Sequence, residues 1–592
     1  MTCFGTGLRK LFFVCVIAAF GLIAVSSGFG LGILLAALAL VAPYKCKIPH
    51  FLPLLLILST LVHVIAVFAV QTPLESDFAM LYQAAQKAAV GDFSFQHHGY
   101  FYRWAYQTGF VLWEAVILRV TGSMAAIKLI NALFLSGING LIYLLARRFV
   151  EERAAQAAAL LYLVTLFPTL MTCVLTNQHI SAFFLLLAVY ILTGGGDRAF
   201  CVRRALLAGF CLFVGNLMRP EGVVILAGLF GTALFVLIMR RSLRGSWQML
   251  LGIVITAAVY VVCSAAASWA IFASGINQYG LTNNWQEWKF ILGFNHETGG
   301  MYSVADMETF GKYHQVDTAP DVLAQALETE KQVVHDRIFG SPHALMSLML
   351  AKVQNLWVSP GLGFSLGFVN RAGVTWHGLV GVHVYEYAIH LDRIVFFFAV
   401  CFALVGAGSG LRRKENPVDF CAVFPFMTLM AFFCVFLLIE VQPRYAYLPQ
   451  IFLYIYCGGR GHFRTDAPKT SICITSKPDC FYAVGLLQSF GFPPHLFRFV
   501  ERRQMFFCVQ QHQNTIRHAN PRVVVQPAGE QRLFFNRYGT ASGGILRDNA
   551  AAYRAVFRHA FTAEVRLLDI EQMQQRLKNL SVDFYRFIGV RH

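Results

Sequence analysis

Charge is what this chain has least of. Of 592 residues only 13% are Asp, Glu, Lys or Arg, against about 25% in a typical soluble domain, while 57% are hydrophobic. That excludes a soluble globular protein. Acids are scarcer than bases, 31 against 48, leaving a net charge of +17. The excess is not read as a nucleic-acid footprint, because the positives come as short clusters between apolar runs. Arg147-Arg148, Arg203-Arg204, Arg240-Arg241 and Arg412-Arg413-Lys414 fit cytoplasmic loops under the positive-inside rule. Nucleic acid is therefore not an expected partner.

Paired cysteines are missing as well. The 14 cysteines stand singly, several inside apolar runs, with no CxxC pair and no Cys/His spacing suited to zinc. They read as small packing residues. Arg9 and Lys10 precede the first long apolar run, and no small-residue cleavage site stands out, so the expectation is an uncleaved first helix.

What the chain does have is a series of apolar runs of bilayer-spanning length, about 17 to 25 residues. With the N-terminus inside, spans are predicted near 11–26, 28–43, 51–71, 124–146, 155–172, 178–194, 205–218, 221–239, 248–273, 388–410, 418–440 and 445–458. The fold class is thus an all-α polytopic membrane protein of about 12 helices. Its first external loop covers about 72–122 and a large polar external loop about 274–342, and together they form a cap. Within the first loop, 109–120 is predicted as a short amphipathic helix at the interface, anchored by Tyr106 and Trp113, with Glu114 on its polar face. The stretch 343–388 is ambiguous.

Polar side chains gather on the predicted outer side: Glu75 and Asp77, Arg103 to Gln107, Asn177 and His179, Arg219 and Glu221, Asn295 to Glu297, Asp306, and Glu440 with Arg444 and Tyr445. Acids at the mouth of a hydrophobic helix usually mark a site, because charge near hydrocarbon is costly. A transporter instead places polar groups and broken helices near the midplane, so one-sided clustering favours an active site opening at the surface. Each residue also has a bland reading. Asp77 could cap the helix that follows, Arg219 could snorkel to the interface, and Glu440 could serve as the salt-bridge partner of Arg444. His97-His98 reads as a surface pair, since neighbours on an extended segment face opposite ways. No metal site is predicted.

The order of these segments carries a resemblance. Asp77-Phe78 opens a helix-like stretch, followed by Gly91-Asp92-Phe93, Tyr100-Phe101 and Trp104-Ala105-Tyr106-Gln107. Asn216-Leu217-Met218-Arg219-Pro220-Glu221-Gly222 ends one outer turn; Gly293-Phe294-Asn295 with Gly299-Gly300 opens the large loop; Gln442-Pro443-Arg444-Tyr445 leads into the last span. Over about 50–458 the chain resembles the GT-C glycosyltransferases of the family 39 type, which include protein O-mannosyltransferases and lipid A aminoarabinose transferases.

The resemblance implies an inverting transferase that takes a sugar from a polyprenyl-phosphate carrier. The acceptor would be an envelope polymer, glycolipid or protein on the extracytoplasmic side of a bacterial plasma membrane. It makes Asp77 the general base. Many relatives carry two adjacent acids there, whereas Ser76 and Phe78 flank Asp77 here, so neither a metal nor any other cofactor is expected. Such chemistry needs a base for the acceptor hydroxyl and cations for the departing phosphate. Asp77 suits the first task, and Arg219 and Arg444 suit the second through their forked donors. Glu75, Arg103, Tyr106, Gln107, Glu221, Asn295 and Tyr445 complete the expected substrate-binding set. The competing readings are a transporter or flippase of lipid-linked saccharide and a non-catalytic membrane scaffold.

The chain thus divides at about 458. The first part, 1–458, is the transmembrane domain; 459–592 is a basic cytoplasmic tail with 19 basic and 9 acidic residues and no sustained period. Three readings stay open for the tail: binding to anionic lipid, poor order, or a lost reading frame.

Overall fold

The computed structural model describes residues 11–12, 14–15, 43–44, 48–70, 72, 74–194, 202–240, 247–358, 375–376, 379–380, 392–405 and 420–455. The predicted spans at 11–26 and 28–43 lie almost wholly outside the described residues, and the tail 459–592 lies entirely outside them.

The first described membrane helix, α1 (Phe51–Ala69), shows how the sequence organises the bundle. Phe51, Leu55, Ser59, His63 and Val67 recur every four residues and are buried, so they form one stripe along the helix. The polar pair lies inside: His63 Nδ1 is 3.2 Å from Ser136 Oγ on α5 (Met124–Phe149). Leu54, Ile57, Leu61, Ile65 and Phe68 point outward. An apolar outside with polar groups inside is the arrangement a hydrocarbon surround demands.

Between them, α2 (Ser76–Ala89), α3 (Gly99–Arg103) and α4 (Thr108–Thr121) form the first loop. They pack on each other through Leu81, Ala85, Phe95, Phe101, Phe110 and Val111. The helix expected at 109–120 is therefore present. Glu114, however, is not on a polar outer face: it falls on the buried stripe with Phe110, Val111, Ala115 and Leu118, while Val116 and Val120 are exposed.

The span expected at 155–172 is broken in two, α6 (Glu152–Leu163) and α7 (Leu166–Met171). The second piece restarts because Asp392 Oδ1 accepts the Leu166 and Phe167 amides at 2.8 and 3.2 Å. That supplies, from a distant segment, the cap that first-turn N–H groups lack. Then come α8 (Gln178–Leu192), α9 (Val202–Met218), α10 (Gly222–Arg240) and α11 (Trp247–Ala273). Four helices among the described residues are long and apolar enough to cross a membrane: α1, α5, α10 through Met239, and α11.

The large loop folds as short helices, α12 (Glu287–Gly293), α13 (Val304–Phe310) and α14 (Pro320–Phe339), around Trp285, Trp288, Ile291, Leu292 and Phe310. In the ambiguous region, α15 (Pro342–Val353) runs into a π-helical turn at Gln354–Val358, and a two-residue antiparallel pair joins β1 (Thr375–Trp376) to β2 (Leu379–Val380). Residues 392–405 form α16, followed by α17 (Phe420–Leu438), a 3₁₀ turn at Pro443–Ala446 and α18 (Tyr447–Ile455). Helices α8 and α9, α9 and α11, α10 and α17, and α1 and α5 are packed as pairs.

Candidate active site

Three turns that are far apart in sequence meet at one end of the bundle. The first is the start of α2. Ser76 has φ +54°, a left-handed conformation that costs a residue with a side chain about 1–2 kcal/mol. The helix begins there, so Asp77 lies in its first turn. Asp77 does not end its interactions at the helix terminus: Arg444 Nη2 donates to its Oδ2 at 3.1 Å. The carboxylate stays partly open, its side chain 39% exposed against 13% for Arg444. Glu75 is the N-cap residue and makes no side-chain capping bond.

The second turn joins α9 to α10, where Arg219 Nε meets Glu221 Oε1 at 2.5 Å. The third runs from the end of α17 to α18. There Glu440 accepts from Lys289 Nζ at 2.5 Å, from Gln442 Nε2 at 2.6 Å and from the Tyr445 hydroxyl at 3.2 Å. Arg444 Nε also donates to Gln442 Oε1 at 2.8 Å, and its main-chain carbonyl accepts from Gln178 Nε2 at 2.5 Å. Tyr445 is the hub. The charged groups of Arg219, Lys289 and Arg444 lie 5.0, 5.4 and 5.7 Å from its ring centre.

The arrangement corrects one pairing. The partner of Glu440 is Lys289, and the partner of Arg444 is Asp77. Burial alone would push the Glu440 carboxyl up, but Lys289, Gln442 and Arg444 together hold it below its ordinary value. Burial opposes the charges of Lys289 and Arg444 too, yet their surroundings, Glu440 and Tyr445 for the first and Tyr445 and Asp77 for the second, raise both. Both cations are held charged.

Aromatic hydroxyls face the same corner. Burial first, and then the Asp77 charge, raises Tyr100 well above the ordinary phenol range. Tyr106 is raised by burial against the pull of Lys289. Tyr302 is raised by burial, Asp77 and Glu440. Gln107 Nε2 approaches the Tyr100 hydroxyl at 3.5 Å, leaving its own Oε1 buried without a partner.

Other expected residues lie elsewhere. Arg103 reaches from the first loop to the Gly311 carbonyl at 3.3 Å and lies over Trp104, and burial lowers its guanidinium. It ties the two loops together. Asn295 is buried, donates to Asp306 at 2.7 Å and accepts from the Glu297 and Thr298 amides at 2.9 and 3.1 Å. Arg337 clamps the same Asp306 at 2.8 and 3.2 Å. Asn295 therefore holds a turn. Asn177 and His179 are buried and engaged by the Met218 carbonyl at 2.9 Å and the Tyr447 hydroxyl at 2.7 Å. Lys289 and Tyr302 were not anticipated, and Tyr100 and Gln442 stood only among the segments that carry the resemblance. Lys289 had a weak signal, a lone cation on an otherwise apolar α12 face that ends at Gly293.

A carboxylate open to solvent beside three clustered cations can take a proton at one point and hold an oxyanion next to it. Residues 108–269, which include α4 and the Arg219 turn, match the family described as dolichyl-phosphate-mannose-protein mannosyltransferase. The match covers residues 108–269 of the 592-residue chain. No curated protein matches it. Among solved structures it is similar to the oligosaccharyltransferase of Archaeoglobus fulgidus in the apo form, with TM-score 0.40 and 13% identity over 69% of this chain and 50% of that one. It is also similar to the archaeal oligosaccharyltransferase AglB from the same organism in complex with an inhibitory peptide and a dolichol-phosphate, with TM-score 0.38 and 15% identity over the same shares. The chain spans about half the length of these two structures.

Proposed function

We propose that this protein moves a sugar from a polyprenyl-phosphate carrier to an extracytoplasmic acceptor of the cell envelope, with inversion, at the corner where Asp77, Arg219, Lys289 and Arg444 meet. The membrane is a bacterial plasma membrane, and the acceptor is a polymer, a glycolipid or an exported protein. The observation that carries the reading is the Asp77–Arg444 contact, which joins the first loop to the turn before the last described helix.

Each of the three cations is paired with a carboxylate. A donor phosphate entering the corner competes for Arg444, whose planar fork suits two phosphate oxygens. Donor binding thus releases the Asp77 carboxylate toward the acceptor hydroxyl. The acceptor hydroxyl oxygen then bonds to the anomeric carbon from the face opposite the phosphate. The carbon–oxygen bond to phosphate breaks, its electron pair leaves on the phosphate oxygen, and Asp77 takes the hydroxyl proton. Arg219, Lys289 and Arg444 stabilise the added negative charge. Outward apolar faces of α1 and α11 offer a path for the carrier chain.

The test is sugar transfer by the purified full chain from a labelled panel of polyprenyl-phosphate sugars, with Asp77→Asn beside it. Turnover with one donor is expected, falling by about 10²–10⁴ in Asp77→Asn with donor binding retained. Unchanged turnover in the variant removes Asp77 from the reaction. Tight donor binding with no transfer to any acceptor favours the carrier or scaffold alternatives.

A further inference from the structure

We propose that Lys352 is a positioning residue of this site: its amine pins the end of α12 to the end of α17 and so sets Lys289 against Glu440. The inference rests on the reading of that corner as the seat of the donor phosphate.

Lys352 lies near the end of α15 and is 1% exposed. Its Nζ donates to the Gly293 carbonyl at 2.9 Å and to the Leu437 carbonyl at 2.7 Å. Gly293 is the last residue of α12 and Leu437 lies at the end of α17, so one side chain faces the negative ends of two helices. Its stem runs across Gly300. A Cβ there would come within 2.8–3.0 Å of three stem carbons, and φ at Gly300 is +80°. Burial brings the amine down to about 7, and a buried polar group is tolerated only when its bonds are made.

The two pinned segments are also those that carry the site. The Glu440 amide donates to the Lys289 carbonyl and the Val441 amide to the Gly300 carbonyl, both at 2.8 Å. Gly293 is pressed against the same segment, where an added Cβ would lie 2.6 Å from the Leu438 carbonyl. The Lys289–Glu440 pair and the Arg444 turn two residues beyond Gln442 therefore inherit their register from a contact at the end of α12. Displacements of about 1 Å at such a distance are enough to cost about 10²-fold in rate.

Two measurements on the purified full chain decide this. In hydrogen exchange, Lys352→Met is expected to speed the Glu440 and Val441 amides at least about tenfold, with the amides of α8 and α9 unchanged. With a labelled polyprenyl-phosphate hexose, Lys352→Met is expected to raise the donor KM about tenfold or more, Lys352→Arg to recover part of it, and the Lys289→Met/Lys352→Met double variant to be no worse than Lys289→Met alone. Non-additivity of that kind is the mark of one residue acting through another. Unchanged exchange at 440–441, or additive losses in the double variant, overturns the inference. Should Lys352→Met yield no folded protein, Lys352→Gln, which keeps one donor, is read the same way. A wild-type protein without turnover would count against the proposed reaction, and the exchange result would still decide on the pin.

Discussion

Asp77 and Arg444 are 367 residues apart in sequence and 3.1 Å apart in space. This ion pair joins the start of the first loop to the turn before α18, and its two sides belong to different steps of the proposed reaction. In that proposal Asp77 meets the acceptor proton, and Arg444 meets the phosphate.

Arg444→Lys keeps the charge and loses the fork. A charged hydrogen bond is worth about 1.5–3 kcal/mol, so the donor KM should rise by about 10- to 100-fold, with a smaller change in turnover at saturating donor. Steady-state kinetics over a donor range reads both. An unchanged KM would place the phosphate elsewhere.

Lys289→Met leaves Glu440 buried without its cation, and removing one side of a buried pair costs about 3–5 kcal/mol. The thermal midpoint in detergent should fall accordingly. The pH dependence has a definite sign. The Glu440 pKa is depressed in the folded protein, so its contribution is present above the ordinary carboxylate value of 4.5 and is lost as pH falls through the lower, folded value. Wild type should lose this stability on acidification, whereas Lys289→Met should lack that loss. Midpoints measured between neutral and strongly acidic pH compare the two.

Glu114→Met should stabilise. Both carboxyl oxygens are buried without a partner, and burial raises the acid well above its ordinary value. An unsatisfied buried polar group costs about 1–3 kcal/mol. A raised carboxyl binds more protons folded than unfolded, so wild-type stability falls as pH rises from the ordinary value of 4.5 toward the folded one. The Met variant should flatten that slope in thermal denaturation followed across pH.

Ser76→Gly should raise stability by about 1 kcal/mol through relief of the left-handed conformation, as read by thermal denaturation. A gain in stability with a loss of transfer would show that the strained residue aims Asp77.

Sequence patterns revealed most of the helices but not their interruptions. Apolar runs located α1, α5, α8, α9, α10, α11 and α17 because composition alone decides burial in lipid. The break between α6 and α7 was hidden, because its cap comes from Asp392, more than 200 residues away. Glu114 was misplaced for a different reason. Beside hydrocarbon the protein interior is the more polar side, so the usual rule for the faces of an amphipathic helix inverts. At the site, Asp77, Arg219, Arg444 and Tyr445 could be seen because each follows or precedes an apolar run. Lys289, Tyr100 and Tyr302 could not, since they sit in loops whose folding back over the bundle depends on contacts such as Arg103 to Gly311 and Asn284 to Arg103.

Each cation around Tyr445 is paired with a carboxylate: Arg219, Lys289 and Arg444 with Glu221, Glu440 and Asp77. A passing anion must therefore compete with a carboxylate already in place. Ordinary phospholipid headgroups, vastly more abundant in the bilayer than any carrier-linked sugar, would have to break an internal ion pair to enter and would bring no sugar contacts in return. On the proposed reading this pairing acts as a filter, favouring a ligand that engages the corner at both ends over the common phosphate of the membrane.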